Sequence, residues 1–259
     1  MSPDLPAHTI DVFHRGRFRL VQPKGGGHRA GVDAMILAAS VPAGFAGRVA
    51  DFGAGAGAAG LAVLSRVAGA TATLVEQSPE MAQFASLTLD HPANAGFRGR
   101  ASVLVADVTL TGTDREAVGL AGNSFDFVIM NPPFNRAVDR ASPDGLKRQA
   151  HVMEDGLFDR WMRSAAAVLG AKGSVSVIAR PVSLAPLLAA VSGRFGEAEI
   201  VPVHARARQP AIRVVLRARR GSRGGLTLRP PLVLHGETGN GFSARAEAIN
   251  NGNASLFED

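Results

Sequence analysis

The feature that most constrains this chain is the junction Asp51-Phe52-Gly53-Ala54-Gly55-Ala56-Gly57, which continues the extended stretch Arg48–Phe52. A strand that runs into alternating glycines and then into a helix turns sharply and leaves no Cβ in the way of a ligand. A second strand, Ala72–Glu76, ends on an acid, the position from which a doubly wound fold holds the hydroxyls of an adenosine ribose. Strands are also expected at Ser102–Ala106, Phe125–Met130, Ser174–Ala179, Glu199–Val203 and Arg213–Arg217. Helices are expected at Val32–Ser40, from the glycine turn to Val67, from Ser78 to Leu89, and at Leu157–Leu169. Ser78, Pro79 and Glu80 give the third of these a cap, a proline at its first position and an acid in its first turn. Strand and helix in alternation specify an α/β chain with a doubly wound, mostly parallel sheet.

Around this domain, 31–235, two flanks are expected. Residues 1–30 read as a basic hairpin extension, with strands Asp11–His14 and Arg17–Val21 about Gly16. Residues 236–259 read as a polar, glycine-rich, partly mobile tail. Asn131 to Asp155 reads as a long polar loop, long enough to be functional.

Composition excludes several classes. The chain has 259 residues, 46% hydrophobic and 19% charged, enough for one full α/β core. No apolar run is long enough for a transmembrane helix. With no cysteine, disulfides and cysteine-ligated metals are excluded. Met1–His14 lacks the charged-then-apolar order of a signal peptide, so a cytoplasmic location is expected. The net charge is +6, and of 28 basic residues only Lys24, Lys147 and Lys172 are lysine. Two stretches carry basic residues and no acid. One holds Arg15, Arg17, Arg19, Lys24 and Arg29; the other holds Arg206, Arg208, Arg213, Arg217, Arg219, Arg220 and Arg223. Arginine forks bind phosphate bidentately, so these clusters point to a polyanion partner.

The glycine turn implies an adenosine-containing cofactor but does not identify it. Gly55, Gly57 and Gly60 also form a literal dinucleotide fingerprint, with Glu76 at the expected distance. Asp107, after the third strand, is placed to accept from an adenine amino group. The segment Asn131-Pro132-Pro133-Phe134, at the end of strand Phe125–Met130, decides between cofactors. The Asn131 side-chain oxygen and the Pro132 carbonyl can both accept from one NH₂ group and draw its lone pair out of conjugation. The paired prolines stiffen the loop, and Phe134 can stack on a flat substrate. That is a device for methyl transfer to a planar nitrogen from S-adenosylmethionine, and a nicotinamide enzyme has no use for it.

In this order of motifs the chain resembles the class I methyltransferases that carry an N/D-P-P-Y/F/W motif. They include adenine-N6 methyltransferases of DNA and RNA, guanine-N2 methyltransferases of rRNA and glutamine methyltransferases of release factors. The stretch from Gln22-Pro23-Lys24 to Gly31-Val32-Asp33-Ala34-Met35 and the segments Pro202–Arg223 and Leu226–His235 resemble the bacterial valine-tRNA adenine-N6 methyltransferase group. The resemblance spans about residues 10–256 and implies a seven-stranded Rossmann-like methyltransferase sheet with an antiparallel edge. It implies that Asp33, Asp51, Gly53, Gly55, Gly57, Glu76 and Asp107 bind S-adenosylmethionine, and that Asn131, Pro132 and Phe134 are catalytic. Pro133, Arg206, Arg208, Arg217, Arg219 and Arg220 are expected to contact substrate, an RNA such as tRNA. Phe134 stands where adenine enzymes most often carry tyrosine, which leaves guanine-N2 and glutamine-N5 as acceptors beside adenine. A small-molecule methyltransferase, or a nucleic-acid-binding module with a vestigial cofactor site, are the remaining alternatives.

Other residues read as structural. His28, His151, Asp139, Asp144 and Glu154 are expected on solvated loop, and His204 near phosphate. Trp161, with Phe158 and Met162, is expected in helix core. No His, Asp and Glu spacing suits a metal.

Overall fold

The computed structural model describes residues 7–24, 30–133 and 145–257. An antiparallel hairpin of β1 (His8–Phe13) and β2 (Phe18–Pro23) opens the chain. Then follow α1 (Val32–Ala38), β3 (Gly47–Phe52), α2 (Ala58–Arg66), β4 (Ala70–Glu76), α3 (Pro79–Asp90), β5 (Ala101–Val105), α4 (Gly112–Ala117) and β6 (Phe125–Met130). The second half comprises α5 (Gly145–Val168), β7 (Leu169–Ala179), α6 (Leu184–Val191), β8 (Phe195–His204), β9 (Ala211–Arg220), β10 (Leu226–Leu228), β11 (Leu232–Val233) and α7 (Ala244–Asn250).

The large sheet has the order β8-β9-β7-β6-β3-β4-β5, the seven strands expected, with the short β10 and β11 both added alongside β8. β9 runs antiparallel to β7 and β8, and every other pairing in this sheet is parallel. Parallel strands covered on both faces must be apolar on both sides, and β6 reads Phe-Asp-Phe-Val-Ile-Met. Phe127 and Ile129 enter one core with Met35, Leu61 and Leu74, while Val128 and Met130 enter the other with Phe158 and Met162. α3 starts as its sequence dictates, since the Ser78 hydroxyl accepts from the Met81 amide at 3.3 Å and Pro79 fills the first turn.

Two expectations are corrected. The long loop expected to reach Asp155 ends at Gly145, where α5 begins. Leu146, Lys147, Arg148, Gln149 and Ala150 are strong helix formers, and their polar composition disguised a helix as a loop. The stretch expected as a partly mobile tail is tied down. Leu256 and Phe257 are buried in the core, and the Leu256 amide donates to Ala39 O at 2.7 Å. Arg15 pairs with Glu247 at 2.6 Å and Arg17 donates to Asn253 Oδ1 at 2.7 Å, so the opening hairpin and the chain's last helix brace each other. No helix among the described residues is long and apolar enough to cross a membrane.

Candidate active site

A cleft of about 570 Å³, within the range of ligand sites, opens at the carboxyl ends of β3, β4 and β6. The glycine turn forms its floor. Gly53 N and Ala54 N both donate to Val75 O, at 2.9 and 3.0 Å, and this fastens the turn to β4. Gly55 has φ +57°, and a Cβ there would meet only Met81 Cε at 3.8 Å, on the wall of the cleft. Gly60 and Gly57 face the sheet instead. A Cβ on Gly60 would lie 2.3 Å from Leu74 Cδ2, and one on Gly57 2.7 Å from Leu74 Cδ1. The three glycines of the fingerprint therefore divide into one that opens the cleft and two that let α2 pack on β4.

Two acids organise this floor. Glu76 Oε2 accepts from Gly55 N at 2.8 Å and Oε1 accepts from Ser78 N at 2.9 Å. Both oxygens are fixed beside the cleft, with lone pairs left over for a ligand's hydroxyls. Asp51 is buried and its Oδ2 accepts from Gly60 N at 2.8 Å. Burial pushes its carboxyl up to about 7, and the charge of Glu76 pushes the same way against the opposing hydrogen bond. A buried carboxyl on the cleft wall suits a cationic group such as an ammonium, which would favour its charged form.

Asn131, Pro132 and Pro133 leave β6 directly into the same cleft. Asp33 lines it as well, from α1, and Arg213 Nε donates to Asp33 Oδ2 at 2.8 Å. Asp107 is turned away, its Oδ1 accepting from Thr109 N at 2.7 Å and Thr109 Oγ1 at 2.8 Å, while its neighbours Ala106 and Val108 face the cleft. Phe134, His28, Arg29, Asp139 and Asp144 lie outside the described residues, as do the side chains of His151 and Glu154.

The arginines expected as one substrate surface are split by the direction of β9. Val214 pairs with Ala179 at the carboxyl end of β7, whereas Arg219 pairs with Ser174 midway along β7 and with Gly196 at the amino end of β8. Arg206, Arg208 and Arg213 therefore belong to the end that carries the cleft, and Arg217, Arg219 and Arg220 run away from it. These three have internal partners. Arg217 bonds Glu199 at 2.7 and 3.1 Å and lies 4.2 Å above the Phe257 ring. Arg219 pairs with Glu197 at 3.3 Å, and Arg220 donates to Asn123 Oδ1 at 2.7 Å. Arg217 and Arg219 line a separate polar cavity of about 480 Å³ with Glu197 and Glu199.

The cleft also contains residues that motif reading missed. Arg180, Arg213 and Gln22 line it, and Gln22 Oε1 accepts from Ala30 N at 2.8 Å. Trp161 is core, as expected, and cleft wall at once, and a Cβ on Gly53 would strike its ring at 2.8 Å. For Arg180 the available signal was its place one residue beyond a strand. Among the described residues no group of three or more His, Asp or Glu could hold a metal ion.

The donor set fits S-adenosylmethionine: hydroxyl acceptors at Glu76, an ammonium acceptor at Asp51 and a Cβ-free approach at Gly55. Residues 28–206 match the methyltransferase small domain family. A predicted O-methyltransferase from Agrobacterium tumefaciens is 42% identical, with 86% of this chain and 98% of that one aligned and a TM-score of 0.76. TYW2 of M. jannaschii, solved with AdoMet, shares the fold at 11% identity and TM-score 0.55, over 85% of this chain and 88% of that one. A T. thermophilus 16S rRNA N2 methyltransferase, solved with AdoMet and guanosine, shares it at 20% identity and TM-score 0.53, over 85% of this chain and 52% of that one. No curated protein sequence matches the chain. The chain belongs to the methyltransferase small domain family and is an S-adenosylmethionine-dependent methyltransferase.

Proposed function

We propose that the protein methylates the exocyclic N6 of an adenine in tRNA, as its resemblance to the valine-tRNA adenine-N6 methyltransferase group implies. The observation that carries an amino-group acceptor is that Asn131-Pro132-Pro133 leaves β6 into the same cleft as Gly55 and Glu76. S-adenosylmethionine supplies an electrophilic methyl on a sulfonium sulfur. Glu76 would accept from its ribose hydroxyls and Asp51 from its ammonium, with Ala106 and Val108 offering an apolar wall to its adenine ring. Asn131 Oδ1 and the Pro132 carbonyl would each accept from one hydrogen of the substrate NH₂, freeing the nitrogen lone pair to attack. Transfer would form the nitrogen–carbon bond as the carbon–sulfur bond breaks, and the proton would leave to solvent from a nitrogen that has become cationic. No strong base is required. Phe134 would stack on the base.

The Agrobacterium relative is described as a predicted O-methyltransferase. A hydroxyl offers one hydrogen where an amino group offers two, so the paired acceptors favour nitrogen. Guanine-N2 and glutamine-N5 would use the same loop, but a glutamine acceptor has no need of Arg180 and Arg213 lining the cleft or of the exposed Arg208 on the β8–β9 loop. The test is transfer of labelled methyl to total small RNA from cells lacking this gene, followed by nucleoside analysis. Labelled N6-methyladenosine is expected. Label in N2-methylguanosine or in a ribose, or no label in RNA, would contradict the reading.

A further inference from the structure

We infer that a strip across the carboxyl ends of β7, β8 and β11 and the amino end of the antiparallel β9 is the track on which the RNA strand flanking the target nucleotide lies, a conclusion that rests on the RNA reading above. The strip follows from strand registers. Met130 pairs with Val177, so the strand end that releases Asn131 and Pro133 adjoins the end of β7 at Arg180. Val214 pairs with Ala179, which sets Arg213 one step beyond on the neighbouring strand. Val203 pairs with both Arg213 and Leu232, and this brings in the β8–β9 loop with Arg206 and Arg208 and then β11. From β6 to β11 is four strand spacings, roughly 19 Å.

The chemistry along the strip is that of a nucleic-acid track. Four arginines stand on these segments against one acid, Glu237, and Asp33 of α1 faces Arg213. Arg208 is exposed. At the far end His235 and Phe242 stack with centroids 5.3 Å apart and planes 11° from parallel. Their strand bridge, and Arg206 donating to Gly236 O and Gly239 O at 2.5 and 2.6 Å, hold that platform in place. His235 covers one face of Phe242, yet Phe242 remains 38% exposed, an unusual surface for a large aromatic and a suitable one for a base. Arg180, Arg208 and Arg213 would meet phosphates between that base and the target at Asn131.

The experiment compares Phe242→Leu, which keeps an apolar side chain and loses the ring, with Arg208→Gln on the strip and Arg219→Gln at the opposite end of the sheet. Each is assayed for binding of end-labelled small RNA from cells lacking the gene, over a salt series, and for KM and kcat of methyl transfer to that RNA. A retained rise in Tm with S-adenosylmethionine confirms that each variant is folded. Phe242→Leu is expected to weaken RNA binding about tenfold and raise KM with kcat little changed. Arg208→Gln is expected to lower the salt slope by about one, and Arg219→Gln to change neither quantity. Wild-type binding and KM in both Phe242→Leu and Arg208→Gln, with RNA still methylated by the wild type, would overturn the track alone. An equal loss in Arg219→Gln would overturn it as well. No RNA methylation by the wild type would overturn the RNA reading and the track together.

Discussion

Glu76 clamps the glycine turn: its Oε2 accepts from Gly55 N at 2.8 Å while its Oε1 accepts from Ser78 N at 2.9 Å. One carboxylate thus ties the turn after β3 to the start of α3 and fixes itself beside the cleft. Glu76→Gln keeps the size but must aim an NH₂ at one of these two amides. The variant is expected to lose S-adenosylmethionine affinity by about 10- to 100-fold, the range for a charge-assisted hydrogen bond. Isothermal titration checks this, and unchanged affinity would remove Glu76 from the cofactor site.

The glycines should separate by function. Gly60→Ala forces a methyl to 2.3 Å from Leu74 Cδ2 and is expected to cost about 1–3 kcal/mol of stability. Gly55→Ala meets no close atom and pays only left-handed backbone strain, about 1–2 kcal/mol, but places its methyl in the cleft. Relative to its loss of stability, it should lose more cofactor affinity than Gly60→Ala does. Denaturant melts and titrations on both variants decide the point.

Asp51 predicts a pH dependence. Its folded value of about 7 lies above the ordinary 3.8, because burial disfavours the charge. Between these values the folded protein holds a proton that the unfolded chain has released. The stability Asp51 contributes is therefore complete below about 3.8 and lost as pH rises through about 7. A cofactor ammonium beside Asp51 would ionise it, so binding near pH 6 should release up to one proton. Titration in buffers of different protonation enthalpy measures that release, and Asp51→Asn should abolish it.

The last turn of the chain belongs to the core. Leu256 is fully buried, so Leu256→Ala is expected to cost about 2–5 kcal/mol. A denaturant midpoint unchanged from wild type would contradict the packing of α7 and its following segment against α1.

The floor of the site was legible in the sequence because its signals are local. Asp51, Gly55, Glu76 and Asn131 each stand at or just beyond the end of an apolar strand, and in a parallel sheet those ends converge. The arginine cluster was not legible, because the direction of a strand is set by its partners. An antiparallel β9 carries Arg213 to the cleft and Arg219 to the far end, six residues apart in one uniform basic run. Arg180 was missed because a lone cation after a strand has no pattern. The buried tail was missed because two apolar residues, Leu256 and Phe257, do the packing within an otherwise polar stretch.

If the Asn131 loop acts on the acceptor and the glycine turn on the cofactor, cofactor binding and methyl transfer separate when the loop is altered. The direct measurement is the S-adenosylmethionine affinity and single-turnover methyl-transfer rate of Asn131→Ala on small RNA. A Kd close to wild type and a rate reduced by about 10²–10³ are expected, the scale on which a fixed polar group acts in a transition state. A Kd that collapses with the rate, or a rate that survives the substitution, would contradict that division of roles.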